Sequence, residues 1–391
     1  MLGLLAAVLA VWLVETGGHL WRTSHWDQYV YLADAFNHGS LALVHRPADA
    51  GDMAVIGGRL FVVFGPLPAL PLMPFVAWLG PATPDVLALV ITALFGILCV
   101  HRFMVAVHGA RDRLRLAAAT LTFALGTAIH YGTPMGNVWL HALITATALQ
   151  CAALWMAAIG RPWLAGAALG LTVLARSTVT LAAPCVVWLL LDPPAPAGEP
   201  ERAPRATPWR IGLALGAPVA IAAAIHAAYN VARFGSVQDA GYHYILMGDV
   251  FQKLVERYGR FSLHYLPQNL TGLLLRPPAM TNGVLAPDPH GMSLLLTTPY
   301  LLLALVPRKV TRLEWVALAT IMVIAAPALL YYNDGWVQFG QRFALDWIAL
   351  GLLVASFGAM RAPRWAVAAL AAAGIGVGVW GCLWFSANFL H

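Results

Sequence analysis

Residues 163–191 read WLAGAALGLTVLARSTVTLAAPCVVWLLL, an apolar run with one charged side chain, Arg176. As a single helix it would reach ~43 Å at ~1.5 Å per residue, well beyond a hydrocarbon core of ~30 Å. Arg176 would then lie near mid-membrane at a cost of several kcal/mol. Two short helices meeting at Ala175-Arg176-Ser177-Thr178 remove that cost and hold the guanidinium at a membrane surface. The stretch predicts a polytopic helical membrane protein whose helices are in places deliberately broken.

The rest of the chain agrees. Of 391 residues, 60% are hydrophobic and 10% charged, and the mean hydropathy is +0.73, a surface that only lipid tolerates. Further apolar segments fall at about 85–107, 116–131, 138–159, 211–229, 292–306, 313–332, 343–360 and 365–385. With a retained first helix from Met1 to Val14 and the two short helices, about 11 transmembrane segments are expected in an all-α chain forming a single transmembrane domain, 1–391. Phe64–Trp78 is apolar too, but carries Pro66, Pro68, Pro71 and Pro74. Prolines at that density break an uninterrupted helix, so a re-entrant or interfacial segment is expected there.

Basic connectors fix the orientation. Arg111/Arg113/Arg115, Arg161, Arg202/Arg205/Arg210, Arg308/Lys309/Arg312 and Arg361/Arg364 share one side if each segment crosses once; by the positive-inside rule that side is the cytoplasm. The net charge of +6 is therefore an orientation signal, and no nucleic acid is expected as partner. The N-terminus falls inside and the acidic chemistry outside. The polar groups gather in outer loops 15–65, 230–291 and 333–342, while 192–209, rich in Pro, Ala, Glu and Arg, reads as a flexible cytoplasmic connector.

In the first outer loop, SHWDQYVYLADAFNHG (24–39) places Tyr29, Leu32, Ala33 and Phe36 at helical spacing, an amphipathic juxtamembrane helix lying along the membrane plane. Asp27 sits at its start, where the helix dipole favours a carboxylate able to take a proton from an acceptor hydroxyl. Asp34 follows on nearly the same face, and His25 and Tyr29 flank Asp27. The last loop packs Trp336, Gln338 and Arg342 within seven residues, a composition suited to holding rings; Asp346 is expected to pair with Arg342 at i,i+4. Tyr229, Asn230, Arg233 and Tyr242 gather where a helix leaves the membrane. Cys99, Cys151, Cys185 and Cys382 lie in apolar runs without ligand spacing, and the histidines are scattered. No metal is expected, although a divalent ion is not excluded.

Four stretches, GRLFVVFGPLPALPLMPF (58–75), GLTVLARSTVTLAAP (170–184), YNVARFGS (229–236) and WVQFGQRFALD (336–346), resemble the multispanning glycosyltransferases of the GT-C fold. Among these are the protein O-mannosyltransferases and the lipid A aminoarabinose transferases. The acidic dipeptide of the mannosyltransferases is only Asp27-Gln28 here, the lysine of their Lys-Pro-Pro-Leu stretch is absent, and their large C-terminal soluble domains are missing. The resemblance implies transfer of a sugar from a polyprenyl-phosphate donor to a hydroxyl of a lipid, glycan or protein acceptor, with no organic cofactor. Asp27 would be the base and Asp34 its companion, while Arg176, Arg59, Arg233 and Arg342 would bind the donor phosphate. His25, Tyr29, Trp336 and Gln338 would contact substrate. High Ala, Gly and Pro usage with two lysines, Lys253 and Lys309, fits a bacterial cytoplasmic membrane with a periplasmic active face. A secondary transporter or lipid-linked sugar flippase would share the short half-helices, but neither paired halves nor acids at mid-membrane are found.

Overall fold

The computed structural model describes residues 1–195, 207–245, 248–281 and 283–389; most of the expected connector 192–209 lies outside the described residues. Helices dominate. Five of them are long and apolar enough to cross a membrane: Asp85–His108, Val138–Ala158, Pro208–Phe234, Arg312–Leu329 and Arg364–Asn388. Leu2–Glu15, Pro162–Ala175 and Ile348–Ala359 are apolar but shorter. The expected count of about 11 spans is therefore not confirmed among the described residues. Proline and glycine divide several of the predicted segments: 116–131 becomes Arg113–Leu125 and Ile129–Met135 around Gly126, and 292–306 becomes one short turn followed by a 3₁₀ helix, Pro299–Leu305.

Val138–Ala158 is the central element. Across its most apolar window 78% of the residues are buried, against 22% for Pro208–Phe234, which turns Ile221, Ile225 and Leu213 outward as a lipid-facing helix should. Pro162–Ala175 packs on both. Its Gly166 and Gly170, four residues apart, permit the approach, since a Cβ on Gly166 would stand 2.0 Å from the Ala214 carbonyl oxygen and one on Gly170 2.8 Å from that of Pro218. Backbone contact of this kind is how helices associate where no hydrophobic drive separates lipid from leucine.

Three of the basic connectors, those of Arg115, Arg308 and Arg364, meet at one end of the bundle. The Arg115 guanidinium donates to the carbonyls of Ala359 and Ala362, Arg364 pairs with Asp112, and Arg308 donates to Ala304, Val306 and Val354 while pairing with the buried Glu314.

At the opposite end the loops are more ordered, and less purely helical, than expected. The predicted amphipathic helix forms as Gln28–Asn37, but Tyr29, Val30, Leu32 and Ala33 are buried within the protein, against Ala69, Leu72 and Val76. The proline-rich stretch, a 3₁₀ helix Leu67–Leu72 running into Met73–Leu79, covers the face expected to meet the membrane. Three two-stranded ribbons add β structure to the expected all-α chain. Met53–Ile56 pairs antiparallel with Arg59–Val62 across Gly57-Gly58, both at positive φ as a tight hairpin demands. Ala279–Thr281 pairs with Val284–Ala286. His290–Met292 runs parallel to Gln338–Gly340, joining the second outer loop to the third.

Candidate functional site

Arg176 sits at the expected break between two helices. Pro162–Ala175 ends at Arg176, whose backbone is extended (φ −158°, ψ 102°), and a 3₁₀ helix, Ser177–Ala182, continues the chain into Ala183–Leu191. Its Nε stands 2.7 Å from Oδ1 and 2.9 Å from Oδ2 of Asp346. The Thr178 hydroxyl donates to the same carboxylate at 3.0 Å. This corrects the expected pairing of Asp346 with Arg342. Arg342–Asp346 is a 3₁₀ turn rather than an α-helix, so with ~3 residues per turn side chains four apart diverge by ~120°. The turn is seated on the central helix, where Thr147 donates to the Leu345 carbonyl and Gln150 to that of Asp346.

Freed from Asp346, Arg342 turns elsewhere. Its Nη1 donates to the Trp336 carbonyl at 3.2 Å, and its guanidinium lies 5.7 Å from the Trp139 ring and 5.4 Å from Phe343. The residue is only 8% exposed, its Nε has no hydrogen-bond partner, and no carboxylate pairs with it among the described ion pairs. Burial pushes its pKa below the ordinary guanidinium value, yet the group stays charged. A buried cation in that state favours an anion.

Arg176, Arg342 and Asp346 line one cavity of about 390 Å³, together with Asp52, Trp139, Arg260, Tyr242, Tyr331 and Tyr332. Phe64 and Gly65 of the proline-rich stretch form part of its wall. The outer loops close over it through backbone bonds: Ala54 bridges to Ile245 and Phe261 to Tyr331, and Tyr332 N–H donates to the Arg260 carbonyl. Burial raises the hydroxyl pKa of Tyr242 and Tyr331, so both are neutral donors at physiological pH. Three arginines face two carboxylates, a formal excess of one positive charge in an aromatic chamber.

Asp52 is the acid that sequence reading missed. It holds a positive φ of 58°, uncommon for a residue other than glycine and a form of strain that gathers at functional positions. Its Oδ2 accepts from Trp139 Nε1 at 3.0 Å, while its neighbour Asp49 accepts from Trp26 Nε1 at 2.9 Å and from Gly51 N–H at 2.7 Å. The Asp-Ala-Gly-Asp turn was the available signal, since Asp49 closes an Asx turn there.

The other predicted residues lie apart. Asp27 occupies the N-cap position of Gln28–Asn37 without making a side-chain cap. Burial lifts its pKa to about 6, partly offset by its own backbone N–H and by His25. That value would suit a base, but Asp27 does not line the cavity. Asp34 pairs with His45 at 2.8 Å and His38 at 3.4 Å. Tyr29 is buried against His141, and His25 is exposed beside Trp26. Arg59 and Arg233 border a separate groove; Arg233 is spent on the Val62 carbonyl, Asn230 and the faces of Tyr229 and Phe234. Trp336 stacks edge-on to His290, and Gln338 bridges the His290 and Asp334 carbonyls. Both frame the loop that carries Arg342 rather than the cavity wall.

No family model matches this chain, and no curated protein matches it. Among solved structures it is similar, over 98% of its length, to the oligosaccharyltransferase of Archaeoglobus fulgidus in the apo form, with a TM-score of 0.48 and 13% identity. It is similar over the same share to the archaeal oligosaccharyltransferase AglB from Archaeoglobus fulgidus in complex with an inhibitory peptide and a dolichol-phosphate, with a TM-score of 0.46 and 12% identity. Both neighbours are oligosaccharyltransferases, and the chain spans 56% and 55% of their chains, about half their length.

Proposed function

We propose that this chain is an integral membrane glycosyltransferase that moves a sugar from a polyprenyl-phosphate donor to an acceptor hydroxyl at the cavity around Arg342. The observation that carries the reading is the buried Arg342, unpaired beside an Arg176 whose charge Asp346 already balances. A phosphate entering the cavity would receive two donors from the planar Arg342 fork, and more from Arg176 and the tyrosine hydroxyls. The aromatic walls suit a sugar ring and the first isoprene units.

In the reaction, the acceptor oxygen forms a bond to the anomeric carbon as the bond from that carbon to the phosphate oxygen breaks. The electron pair departs with the phosphate, where Arg342 stabilises the developing charge in a partly dry site. The acceptor proton passes to a carboxylate, and the acid in the cavity suited to receive it is Asp52. Attack on the face opposite the phosphate inverts the anomeric centre, by analogy with inverting glycoside chemistry. The arginine-rich end faces the cytoplasm of a bacterial inner membrane and the cavity end faces the periplasm.

The test is transfer of radiolabelled sugar from a panel of polyprenyl-phosphate sugars in proteoliposomes. Arg342→Met and Asp52→Asn should each lower turnover at least ~100-fold, the range for removing one charge-stabilising or proton-transfer group. Equal turnover in both variants would overturn the assignment. Movement of intact donor across the bilayer without transfer would point instead to a flippase.

A further inference from the structure

Away from that cavity, three buried side chains with metal-binding chemistry converge. Glu15 ends the first helix, His130 lies in Ile129–Met135, and Cys382 is near the end of the last helix; one ligand atom from each lies within 4.8 Å of the others. The His130 and Glu15 side chains are 1% and 5% exposed, and Cys382 is 1% exposed.

Sequence spacing could not announce this group, because its members are more than a hundred residues apart. The fold nonetheless makes room for it. A Cβ on Gly378 would meet the Leu125 carbonyl at 2.1 Å and His130 Nδ1 at 2.9 Å. Glycine there lets the last helix approach the imidazole, and Cys382, one turn later on the same face, arrives beside it.

The hydrogen bonds leave one position in question. His130 Nδ1 lies 2.7 Å from the Leu125 carbonyl, which requires a proton on Nδ1. Nε2, 2.7 Å from Glu15 Oε2, is then the nitrogen with a lone pair to give, the tautomer that metal-bound histidines adopt when the other nitrogen donates to a carbonyl. Glu15 Oε1 is buried with no hydrogen-bond partner.

We infer that Glu15, His130 and Cys382 form a binding site for a zinc-class divalent cation. One carboxylate, one thiolate and one neutral imidazole sum to two negative charges, which cancel the ion's charge where the dielectric is low. The thiol proton and any proton shared by Glu15 and His130 leave to solvent as the metal enters, and no electron is transferred. The ion would replace the short Glu15–His130 hydrogen bond and tie the end of the first helix to the end of the last.

The experiment uses the full chain in detergent, purified without a histidine tag, stripped with chelator and titrated with Co²⁺ and then Zn²⁺. The site predicts one equivalent of Co²⁺ with a thiolate-to-cobalt charge-transfer band, displaced by one equivalent of Zn²⁺ and accompanied by a rise in Tm. Cys382→Ser should abolish the band, and Glu15→Gln should weaken binding by about tenfold or more. Folded wild-type protein showing no charge-transfer band at saturating Co²⁺ would overturn the proposal, leaving a hydrogen-bonded Glu–His pair. Because that outcome is read on the wild type, misfolding of a variant cannot obscure it.

Discussion

Arg176 and Asp346, 170 residues apart in sequence, make a two-oxygen contact at 2.7 and 2.9 Å through a single guanidinium nitrogen. The Asp346 side chain is 2% exposed, while Arg176 keeps 24% of its surface open, its edge toward the cavity. The pair thus balances one charge of the chamber and leaves Arg342 and Arg260 with Asp52 as the one remaining carboxylate.

Removing only one partner should be costly. Asp346→Ala leaves Arg176 without a counter-charge and the Thr178 hydroxyl without its acceptor, and should destabilise the protein by about 3–5 kcal/mol. The double variant Arg176→Met/Asp346→Leu should recover much of that loss while abolishing transfer. Denaturant unfolding in detergent measures both, and a double variant no more stable than Asp346→Ala would contradict the pair's role.

A second pair acts at the opposite end. Glu314 is 0% exposed, takes Arg308 Nε at 2.8 Å and the Thr311 N–H at 2.8 Å in a capping box. Glu314→Gln should cost about 3 kcal/mol in unfolding yet leave kcat unchanged, since it lies far from the cavity.

Asp27 offers a pH test. Its folded pKa of about 6 lies above the ordinary 3.8 because burial disfavours the charged form. The folded chain holds that proton more tightly than the unfolded one. The resulting stability is present below about pH 4 and lost as pH rises through about 6. Asp27→Asn, which cannot ionise, should therefore be more stable than wild type by about 1–2 kcal/mol at pH ~8 and by little at pH ~4. Thermal unfolding at both values decides; a difference independent of pH would refute the account. In the same proteins transfer should persist in Asp27→Asn and fail in Asp52→Asn.

Gly65 tests the cavity wall. A Cβ there would stand 2.1 Å from the Leu174 carbonyl oxygen and 2.8 Å from that of Ala175, backbone that cannot yield without moving the break at Arg176. Gly65→Ala should cost about 1–3 kcal/mol and weaken donor binding. Gly212→Ala, which meets nothing within 4 Å in a helix interior, should be neutral or stabilising by up to about 1 kcal/mol.

The break at Arg176 was legible because a charge amid 28 apolar or small residues has no other tolerable place. Three of the basic connectors, read only as charges between apolar runs, meet through Arg115, Arg308 and Arg364. What could not be read was pairing across the chain. Asp346 was assigned to Arg342 by helical spacing, whereas the local 3₁₀ turn, fixed by Gln150 and Thr147 from another helix, sent the two side chains apart. Arg233 looked like an anion ligand but is held by the Val62 carbonyl, a partner that only folding supplies. Asp52 escaped notice because its strained backbone and its contact with Trp139 are tertiary facts.

The most direct measurement is equilibrium binding of a short-chain polyprenyl phosphate, without sugar, to wild type and Arg342→Met in detergent, with thermal unfolding as the control for folding. The account predicts that the substitution raises Kd by at least about tenfold, roughly the worth of one charge-assisted hydrogen bond in a buried site, with Tm little changed. Equal affinity in two equally folded proteins would contradict it, and the cavity around Arg342 would then not be the phosphate site.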